Sequence, residues 1–367
     1  MTRVSSKYRF LFAGGGTGGH LYPAIAVAEK LGSLQKETEI LFVGTSKKIE
    51  SRVVPKLGYK FKTLWISGFA RKLTLKNILF PFKLIVASLQ ALGINMRFKP
   101  AVAIGTGAYV SGPAIWAAKI MGAKIVLLEQ NSFPGITNRM LEKKADKIFV
   151  AFEESKKYFR EKNKLVVAGN PVRTNLKLIS KSEANKKFGL LEEKKTLLIF
   201  GGSLGAKSIN EAVAENLKRL NEENIQIIWQ CGELYFDDYK KFESDNVKVM
   251  PFIDDVAAAY SAADLILCRA GATTIAETAA LNLPVVFVPS RNVAADHQLK
   301  NAKALADSDA AVLLMDEEVK NKLSETVIDL LKDEEKLERL KNNIGKFSNP
   351  DAAENIARSI LELSEEN

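Results

Sequence analysis

RFLFAGGGTGGHLYP, residues 9–23, decides the fold of this chain. An apolar run over residues 10–13 leads into five glycines, and an Ala-rich helical pattern covers residues 24–31. Glycine allows a backbone to turn sharply or to approach a ligand closely. A glycine-rich turn between a strand and a helix also directs backbone N–H groups and the helix dipole towards an anion. The stretch therefore predicts a strand–turn–helix unit with an anion site at the turn.

The same arrangement recurs along the 367-residue chain and predicts an α/β fold with two doubly wound domains. Short runs rich in Ile, Val and Phe alternate with helical patterns, which is typical of parallel sheets covered on both faces. The scheme restarts near residue 195, where a second strand enters the glycine-rich loop 201–206. We expect domains over residues 1–172 and 173–348, with ligands beyond the carboxyl ends of the strands. Candidate strands cover residues 10–13, 40–43, 102–104, 124–128, 147–150, 164–167, 195–200, 225–229, 247–250, 265–268, 285–288 and 311–314.

The end of the chain predicts one more helix. Asn349 is a candidate N-cap and Pro350 a candidate first helical residue. Four apolar residues at helical spacing then mark one face that should be buried: Ala352, Ile356, Ile360 and Leu363.

Charge is distributed unevenly over the two halves. Residues 1–172 hold 28 Lys and Arg against 10 Asp and Glu, a balance of +18, whereas residues 173–367 hold 25 against 33, a balance of −8. No acid stands between Glu50 and Glu129, while twelve Lys or Arg do. Such an excess of positive charge in one half of the chain indicates an anionic partner such as a membrane or a nucleic acid. A merely solvated basic face is the alternative.

Apolar and cationic side chains are interleaved over residues 69–84. The apolar run is too short to span a bilayer but would suit an anionic leaflet into which apolar side chains dip. A buried helix with a basic rim is the other interpretation. The residues expected at the membrane are Lys72, Lys76, Leu79, Phe80, Phe82 and Lys83.

Cysteine and histidine usage excludes several kinds of site. Cys231 and Cys268 lie far apart, which is typical of a reducing compartment without a disulfide framework. With only two histidines, the spacing of ligands for a metal cluster is also missing. The first eight residues are polar and do not resemble a signal peptide.

The first glycine loop fits G-x-G-x-x-G, which is a weak motif on its own. A dinucleotide site needs an acid near the end of the second strand to hold the ribose. Here residues 44–48 follow that strand and read GTSKK, so NAD binding is not expected. Either another anionic ligand or a purely structural tight turn explains the glycines.

Two further glycine turns follow later strands. The loop 201–206 with Ser203 suits a diphosphate, and the turn 269–274 offers N–H groups and two hydroxyls at a helix start. Glu277, one turn into that helix, could accept from a ribose diol. The alternative is that Thr273 or Thr274 merely caps the helix.

Three side chains are candidates for acid–base or ligand roles. His20 ends the first glycine loop, where its imidazole could accept a proton from a hydroxyl nucleophile, or it could be a structural hydrogen-bonding residue. Glu129 ends a strand at the same sheet edge and is the second candidate for base or orienter. His297 is expected to contact ligand rather than perform chemistry.

Taken together, seven motifs resemble the MurG family of N-acetylglucosaminyltransferases, in family order over nearly the whole chain. They are GGGTGGH (14–20), GTGAYVSGP (105–113), EQN (129–131), GNPVR (169–173), GGS (201–203), FIDD (252–255) and GATTIAE (271–277). The resemblance implies the GT-B fold, with two Rossmann-like domains facing a cleft and a final helix, 349–367, that returns to the N-terminal domain. It also implies inverting transfer of GlcNAc from UDP-GlcNAc to the C4 hydroxyl of the muramyl sugar in lipid I, the undecaprenyl-diphosphate-linked muramyl pentapeptide, giving lipid II. No cofactor and no metal is implied.

By the same resemblance, the catalytic candidates are His20 and Glu129, and the acceptor diphosphate lies against the first glycine loop: Gly14, Gly15, Gly16, Gly18 and Gly19. The residues implied to contact UDP-GlcNAc are Thr17, Gly18, Gly19, Asn131, Arg173, Ser203, Ile253, Ala272, Thr273, Thr274, Ile275, Ala276, Glu277 and Gln298. In such enzymes the Ile253 backbone reads uracil, Glu277 holds the ribose and Gln298 lies towards the sugar. The family implies a peripheral position on the cytoplasmic face of the cell membrane, with other cell-wall synthesis proteins as partners and no nucleic acid.

The sequence departs from the family pattern at a few places. Thr273 stands where Leu is frequent, Ala108 stands where a second Gly is usual, and the loop with Arg291 and Asn292 varies. These departures affect fine contacts rather than the expected activity.

Two rival functions stay open on the sequence alone. One is a UDP-GlcNAc epimerase on the same scaffold, which would not need the basic, apolar surface. The other is a non-catalytic protein that binds anionic membranes or nucleic acid, although no aromatic stacking motif for RNA is present.

Overall fold

The computed structural model describes residues 8–68, 79–173, 176–290 and 296–366. The chain divides into two compact units. The first unit comprises residues 1–174 and 349–367, and the second unit comprises residues 175–348. The expected domain boundary after residue 172 lies two residues before this division.

The first unit is built on a seven-stranded parallel sheet in the order β3-β2-β1-β4-β5-β6-β7. Alternate residues of β1 serve opposite faces: Leu11 and Ala13 join one hydrophobic cluster, and Phe10 and Phe12 join the other. The strands are therefore apolar on both sides, as expected for a sheet covered by helices. They are β1 (Arg9–Ala13), β2 (Glu39–Gly44), β3 (Lys60–Thr63), β4 (Val102–Gly105), β5 (Lys124–Glu129), β6 (Lys147–Val150) and β7 (Leu165–Val167).

Helices connect these strands. The α-helices of the first unit are Gly18–Leu34, Ile49–Lys56, Phe80–Phe98, Ala108–Ile120, Ile136–Leu141 and Ala352–Glu365. Short 3-10 helices cover Glu142–Lys144, Glu153–Tyr158 and Lys162–Lys164. Within the described ranges, the helices are all too short or too polar to cross a membrane.

The second unit repeats the scheme with a six-stranded parallel sheet in the order β10-β9-β8-β11-β12-β13. Its strands are β8 (Thr196–Phe200), β9 (Gln226–Gln230), β10 (Val247–Met250), β11 (Leu265–Cys268), β12 (Val285–Phe287) and β13 (Val312–Leu313). Its helices are Lys181–Phe188, Lys207–Glu222, Phe236–Tyr239, Val256–Ala262, Ala272–Ala280, His297–Asp307, Val319–Lys332 and Glu334–Ile344, with 3-10 turns at Lys240–Phe242 and Gly345–Phe347. The two sheets confirm the predicted doubly wound α/β class.

Strand β3 was not predicted from the sequence. It reads Lys60-Phe61-Lys62-Thr63 and forms the edge of the sheet, where only Phe61 is partly covered. An edge strand needs no apolar run, because one side faces no neighbouring strand and charged residues are favoured there.

The prediction for the start of the final helix was wrong in detail. The helix begins at Ala352 with Asp351 at the N-cap position, and the amide of Asn349 donates instead to the Ala168 carbonyl at 2.8 Å. The predicted apolar face is confirmed: Ala352, Ile356, Ile360 and Leu363 are all buried. Three of them join Phe10 and Phe12 in one core cluster, so this helix covers a face of the first sheet.

Candidate active site

The first glycine loop joins β1 to a helix that begins earlier than predicted, at Gly18 rather than near residue 24. Gly15 and Gly16 have φ angles of 142° and 82°, which side chains rarely allow. Thr17 is the N-cap residue, and Gly18 and Gly19 form the first helical turn. The positive end of the helix dipole therefore lies at this loop, as an anion site requires.

A buried carboxylate that the sequence analysis did not single out lies against this loop. Glu50 accepts hydrogen bonds from the Gly16 N–H at 2.8 Å, the Thr45 N–H at 2.9 Å and the Thr45 hydroxyl at 2.7 Å. A Cβ at Gly15 would lie 2.4 Å from the Glu50 carboxyl carbon, so this glycine is needed for the close approach. Burial and the Glu50 charge together raise the pKa of Tyr109. A sequence clue existed: Glu50 is the last acid before the acid-free stretch.

His20 occupies the first turn of the same helix, and its ring is held from two directions. Its Nδ1 lies 3.0 Å from Oε1 of Gln130, a buried residue that follows β5. A Cβ at Gly107 would lie 3.0 Å from the ring atoms Cε1 and Nδ1, so the imidazole packs on glycine backbone. The structure thus brings together the ends of β1, β4 and β5 around one histidine.

Glu129 is buried, and its two oxygens accept four hydrogen bonds. Oε1 accepts from the N–H and the side-chain amide of Asn131, at 3.0 and 3.1 Å. Oε2 accepts from the Gly135 N–H and the Asn138 amide, both at 2.9 Å. All four donors belong to the segment after β5, so this carboxylate fixes the course of that segment, including Asn131.

Arg173, another candidate for donor contact in the first unit, stacks on an aromatic ring. Its guanidinium carbon lies 4.0 Å from the ring centroid of Tyr22, which belongs to the first helix. Cation–π contacts of this kind are favourable and orient the planar guanidinium.

In the second unit, the loop 201–206 is tightly folded. Gly202 and Gly205 have positive φ angles, and a Cβ at Gly205 would lie 2.0 Å from the Cys231 carbonyl oxygen. Gln230, at the end of β9, donates to the Gly202 carbonyl at 2.9 Å and accepts from the Ile253 N–H at 3.0 Å. One buried amide thereby links the loop that carries Ser203 to the segment proposed to read uracil.

The third glycine turn places Gly271 at the N-cap of the helix Ala272–Ala280. Glycine has no side chain, and Thr273 and Thr274 lie inside the helix, so the interpretation of these threonines as caps was wrong. Glu277 is buried in the same helix and accepts from the Tyr260 hydroxyl at 2.9 Å. Burial, with a smaller contribution from the Glu277 charge, raises the pKa of the Cys268 thiol at the end of β11.

The remaining candidate of the second unit, Gln298, lies in the first turn of the helix His297–Asp307. Its Oε1 accepts from the Ser290 N–H at 2.9 Å, which ties that helix start to the segment after β12. Arg291 and Asn292 lie outside the described residues.

The acid-free region presents an exposed apolar strip, which we define as Trp65, Leu79, Phe82, Ile85 and Leu89. Phe82, Ile85 and Leu89 share one face of the helix Phe80–Phe98, whereas Phe80 is partly buried. Lys83 donates to the Ser67 hydroxyl at 3.1 Å and lies 5.7 Å from the Trp65 ring centroid. The alternative of a buried helix is therefore wrong for this face. Lys72 and Lys76 lie outside the described residues.

Comparisons with known proteins agree with this organisation. The model of the glycosyltransferase family 28 N-terminal domain matches residues 10–150, and that of the glycosyltransferase family 28 C-terminal domain matches residues 196–356. A UDP-N-acetylglucosamine--N-acetylmuramyl-(pentapeptide) pyrophosphoryl-undecaprenol N-acetylglucosamine transferase from Flavobacterium psychrophilum is 46% identical over 98% of both chains.

Solved structures give the same result. The crystal structure of Acinetobacter baumannii MurG is 30% identical, covers 97% of this chain and 99% of its own, and superposes with a TM-score of 0.70. A UDP-GlcNAc 2-epimerase from Neisseria meningitidis covers 97% of this chain and 99% of its own, with 15% identity and a TM-score of 0.65, so it shares only the fold. The chain belongs to glycosyltransferase family 28 and, within it, to the MurG family.

Proposed function

We propose that this chain transfers GlcNAc from UDP-GlcNAc to the C4 hydroxyl of the muramyl sugar in lipid I, releasing UDP and forming lipid II. The identity of 42–46%, over nearly the full length, to transferases of this name supports the assignment of these two substrates. The observation that carries the chemistry is the pairing of His20 with Gln130 at 3.0 Å, beside a glycine loop at a helix N-terminus.

In the proposed reaction His20 is the general base. It takes the proton of the C4 hydroxyl while that oxygen attacks the anomeric carbon, and the bond from the anomeric carbon to the UDP oxygen breaks with inversion. Base assistance of this kind is typically worth about 10²–10⁴-fold. Glu129 supports this assignment indirectly, because its four accepted hydrogen bonds suit an orienting role better than proton transfer.

The second unit is proposed to bind the donor nucleotide. The helix start at Gly271 offers N–H groups and a positive dipole end to a diphosphate, where charge develops as UDP leaves. The buried Glu277 carboxylate is proposed to hold the ribose, and the Ile253 backbone to read uracil. The residues assigned here are Ser203, Ile253, Ala272, Thr273, Thr274, Ile275, Ala276, Glu277 and Gln298.

The first unit is proposed to hold the acceptor, with its diphosphate against Gly14, Gly15, Gly16, Gly18 and Gly19. The positive dipole end of the helix Gly18–Leu34 favours that anion. The donor contacts predicted for Thr17, Asn131 and Arg173 stay predictions.

We further propose that the apolar strip contacts the anionic cytoplasmic face of the cell membrane, where a lipid-linked acceptor resides. The exposed side chains of Phe82, Ile85 and Leu89 and the excess of cations in residues 51–128 support a peripheral contact.

Transfer of labelled GlcNAc to a lipid-linked muramyl acceptor tests the proposal. We expect a lipid-linked disaccharide and UDP as products, with turnover that persists in EDTA. Change of UDP-GlcNAc without acceptor would instead indicate an epimerase, and vesicle binding without turnover would indicate a non-catalytic membrane protein. His20→Ala should remove most of the turnover, and near-normal turnover in that variant would refute the assigned base.

A further inference from the structure

We propose that Gln130 is a positioning residue that holds His20 in the tautomer with the proton on Nδ1, so that Nε2 carries the free lone pair. This inference rests on the proposed function, in which His20 accepts a proton. The observation behind it is the orientation of one buried side-chain amide between two partners.

The orientation of that amide follows from its second contact. Nε2 of Gln130 donates to the Leu128 carbonyl oxygen at 3.4 Å, which directs Oε1 to the histidine ring. The reverse orientation would place two carbonyl oxygens, which can only accept, against each other. The Leu128 oxygen also accepts from the Asn138 amide at 3.0 Å, which holds it in place.

The tautomer of His20 follows from the amide. Oε1 of Gln130 has no proton to give, so the Nδ1 atom 3.0 Å away has to be the donor. In a neutral imidazole the other nitrogen is then an acceptor. Nε2 is therefore the atom able to take a proton from a hydroxyl nucleophile.

Two surrounding features keep the ring in this position. Gly107 has a φ angle of 94° and allows the imidazole to within 3.0 Å of where a Cβ would stand. Asn138, which holds the Leu128 oxygen, also donates to Glu129 at 2.9 Å. A chain of contacts thus connects the buried Glu129 carboxylate to His20 through Asn138, the Leu128 carbonyl and Gln130. It gives Glu129 a supporting role without proton transfer.

The test uses the full chain labelled with ¹⁵N-histidine. Only His20 and His297 give ring signals, and His297→Asn assigns them. Long-range ¹H–¹⁵N correlations, recorded at a pH high enough for both rings to be neutral, identify the nitrogen that carries the proton. We expect His20 to carry its proton on Nδ1 in the wild type and in Gln130→Glu, whose carboxylate can accept the same hydrogen bond. This variant loses the donation to the Leu128 oxygen, which still accepts from Asn138. In Gln130→Met, which keeps the length but not the acceptor, the proton should redistribute to Nε2.

Turnover provides the second readout. Gln130→Met should lower kcat at least about tenfold with little change in the KM for UDP-GlcNAc, and Gln130→Glu should restore the Nδ1–H tautomer and part of the kcat. Thermal unfolding of each variant shows whether it folds. If Gln130→Met does not fold, the tautomer of His20 in the wild type and in Gln130→Glu tests the inference. A wild-type His20 protonated on Nε2, or an unchanged tautomer and kcat in Gln130→Met, would overturn the inference. The spectra need no substrate, so a wild-type chain without transferase activity would refute the proposed function separately.

Discussion

Oε2 of Glu50 accepts a hydrogen bond from the Gly16 N–H at 2.8 Å, so a buried carboxylate holds the first glycine loop in place. Glu50→Gln keeps the size of the side chain but places an NH₂ group against either Gly16 or Thr45, both of which donate. Losing a charge-assisted hydrogen bond costs about 1.5–3 kcal/mol. We expect the KM for the lipid-linked acceptor to rise about tenfold or more in steady-state assays.

Glu39→Gln is the matched control for that experiment, because Glu39 is a surface residue paired with Lys60 in the same unit. Surface pairs contribute about 0–1 kcal/mol, so activity should stay within twofold of the wild type. Equal effects of the two substitutions would contradict a specific role for Glu50.

Glu129→Gln should destabilise the first unit. The amide cannot accept from all four donors that converge on Glu129, and a buried donor without a partner costs about 1–3 kcal/mol. We expect a lower urea midpoint for unfolding, with Glu153→Gln, at an exposed position, unchanged. An unchanged midpoint together with abolished turnover would show that Glu129 takes part in the chemistry itself.

Gly202 and Gly205 make a matched pair in the second glycine loop. Both have positive φ angles, so alanine at either position costs roughly 1–2 kcal/mol of backbone strain. Only at Gly205 would the new Cβ also meet backbone, 2.0 Å from the Cys231 oxygen, whereas at Gly202 it would meet no described atom within 4 Å. Thermal unfolding with and without UDP should show a much larger loss for Gly205→Ala, and equal losses would refute the clash.

Ala108→Gly should stabilise the protein. Ala108 has a φ angle of 60°, a left-handed conformation that disfavours alanine by roughly 1–2 kcal/mol. Glycine loses more chain entropy on folding, so we expect a net gain of about 0.5–1 kcal/mol in urea unfolding. Ala114→Gly, at a buried position of the same helix, should have the opposite sign. Destabilisation by Ala108→Gly would contradict the strain.

The apolar strip should determine vesicle binding. Phe82, Ile85 and Leu89 are 57%, 61% and 64% exposed, so replacing all three with Ser removes little internal packing. We expect cosedimentation with phosphatidylglycerol vesicles to weaken at least tenfold, since each apolar side chain that dips into the membrane is worth about 1 kcal/mol or more. Leu234→Ser, which changes a residue of the second unit that is 79% exposed, should bind as the wild type does. Equal binding by both variants would refute a membrane role for the strip.

Most of the sheet could be predicted because buried parallel strands are continuous apolar runs. The edge strand β3 could not be predicted in this way, since Lys60 and Lys62 are exposed to solvent and interrupt any apolar run. The helix after the first loop starts at Gly18, which the sequence could not show, because glycine is a poor helix former and Gly18 and Gly19 add no apolar side chain to the helical pattern.

The candidate site was predicted unevenly for a related reason. Motifs identified His20 and Glu129. The hydrogen bonds that pair His20 with Gln130 and Glu129 with Asn138 could not be predicted, because they depend on the folded course of the segment after β5. Glu50 could not be predicted as part of the site, because it lies on a different helix, 34 residues after the glycine that it holds.

The division of the first unit into residues 1–174 and 349–367 has a consequence for the order of synthesis. While the ribosome is still adding the second unit, the core cluster around Phe10 and Phe12 lacks Ile356 and Ile360. The second unit is continuous and can complete its sheet first, because domains generally fold as units as they emerge. The nascent first unit therefore exposes apolar surface until the helix Ala352–Glu365 has been synthesised, and a stop codon before residue 352 would leave Phe10 and Phe12 without this cover.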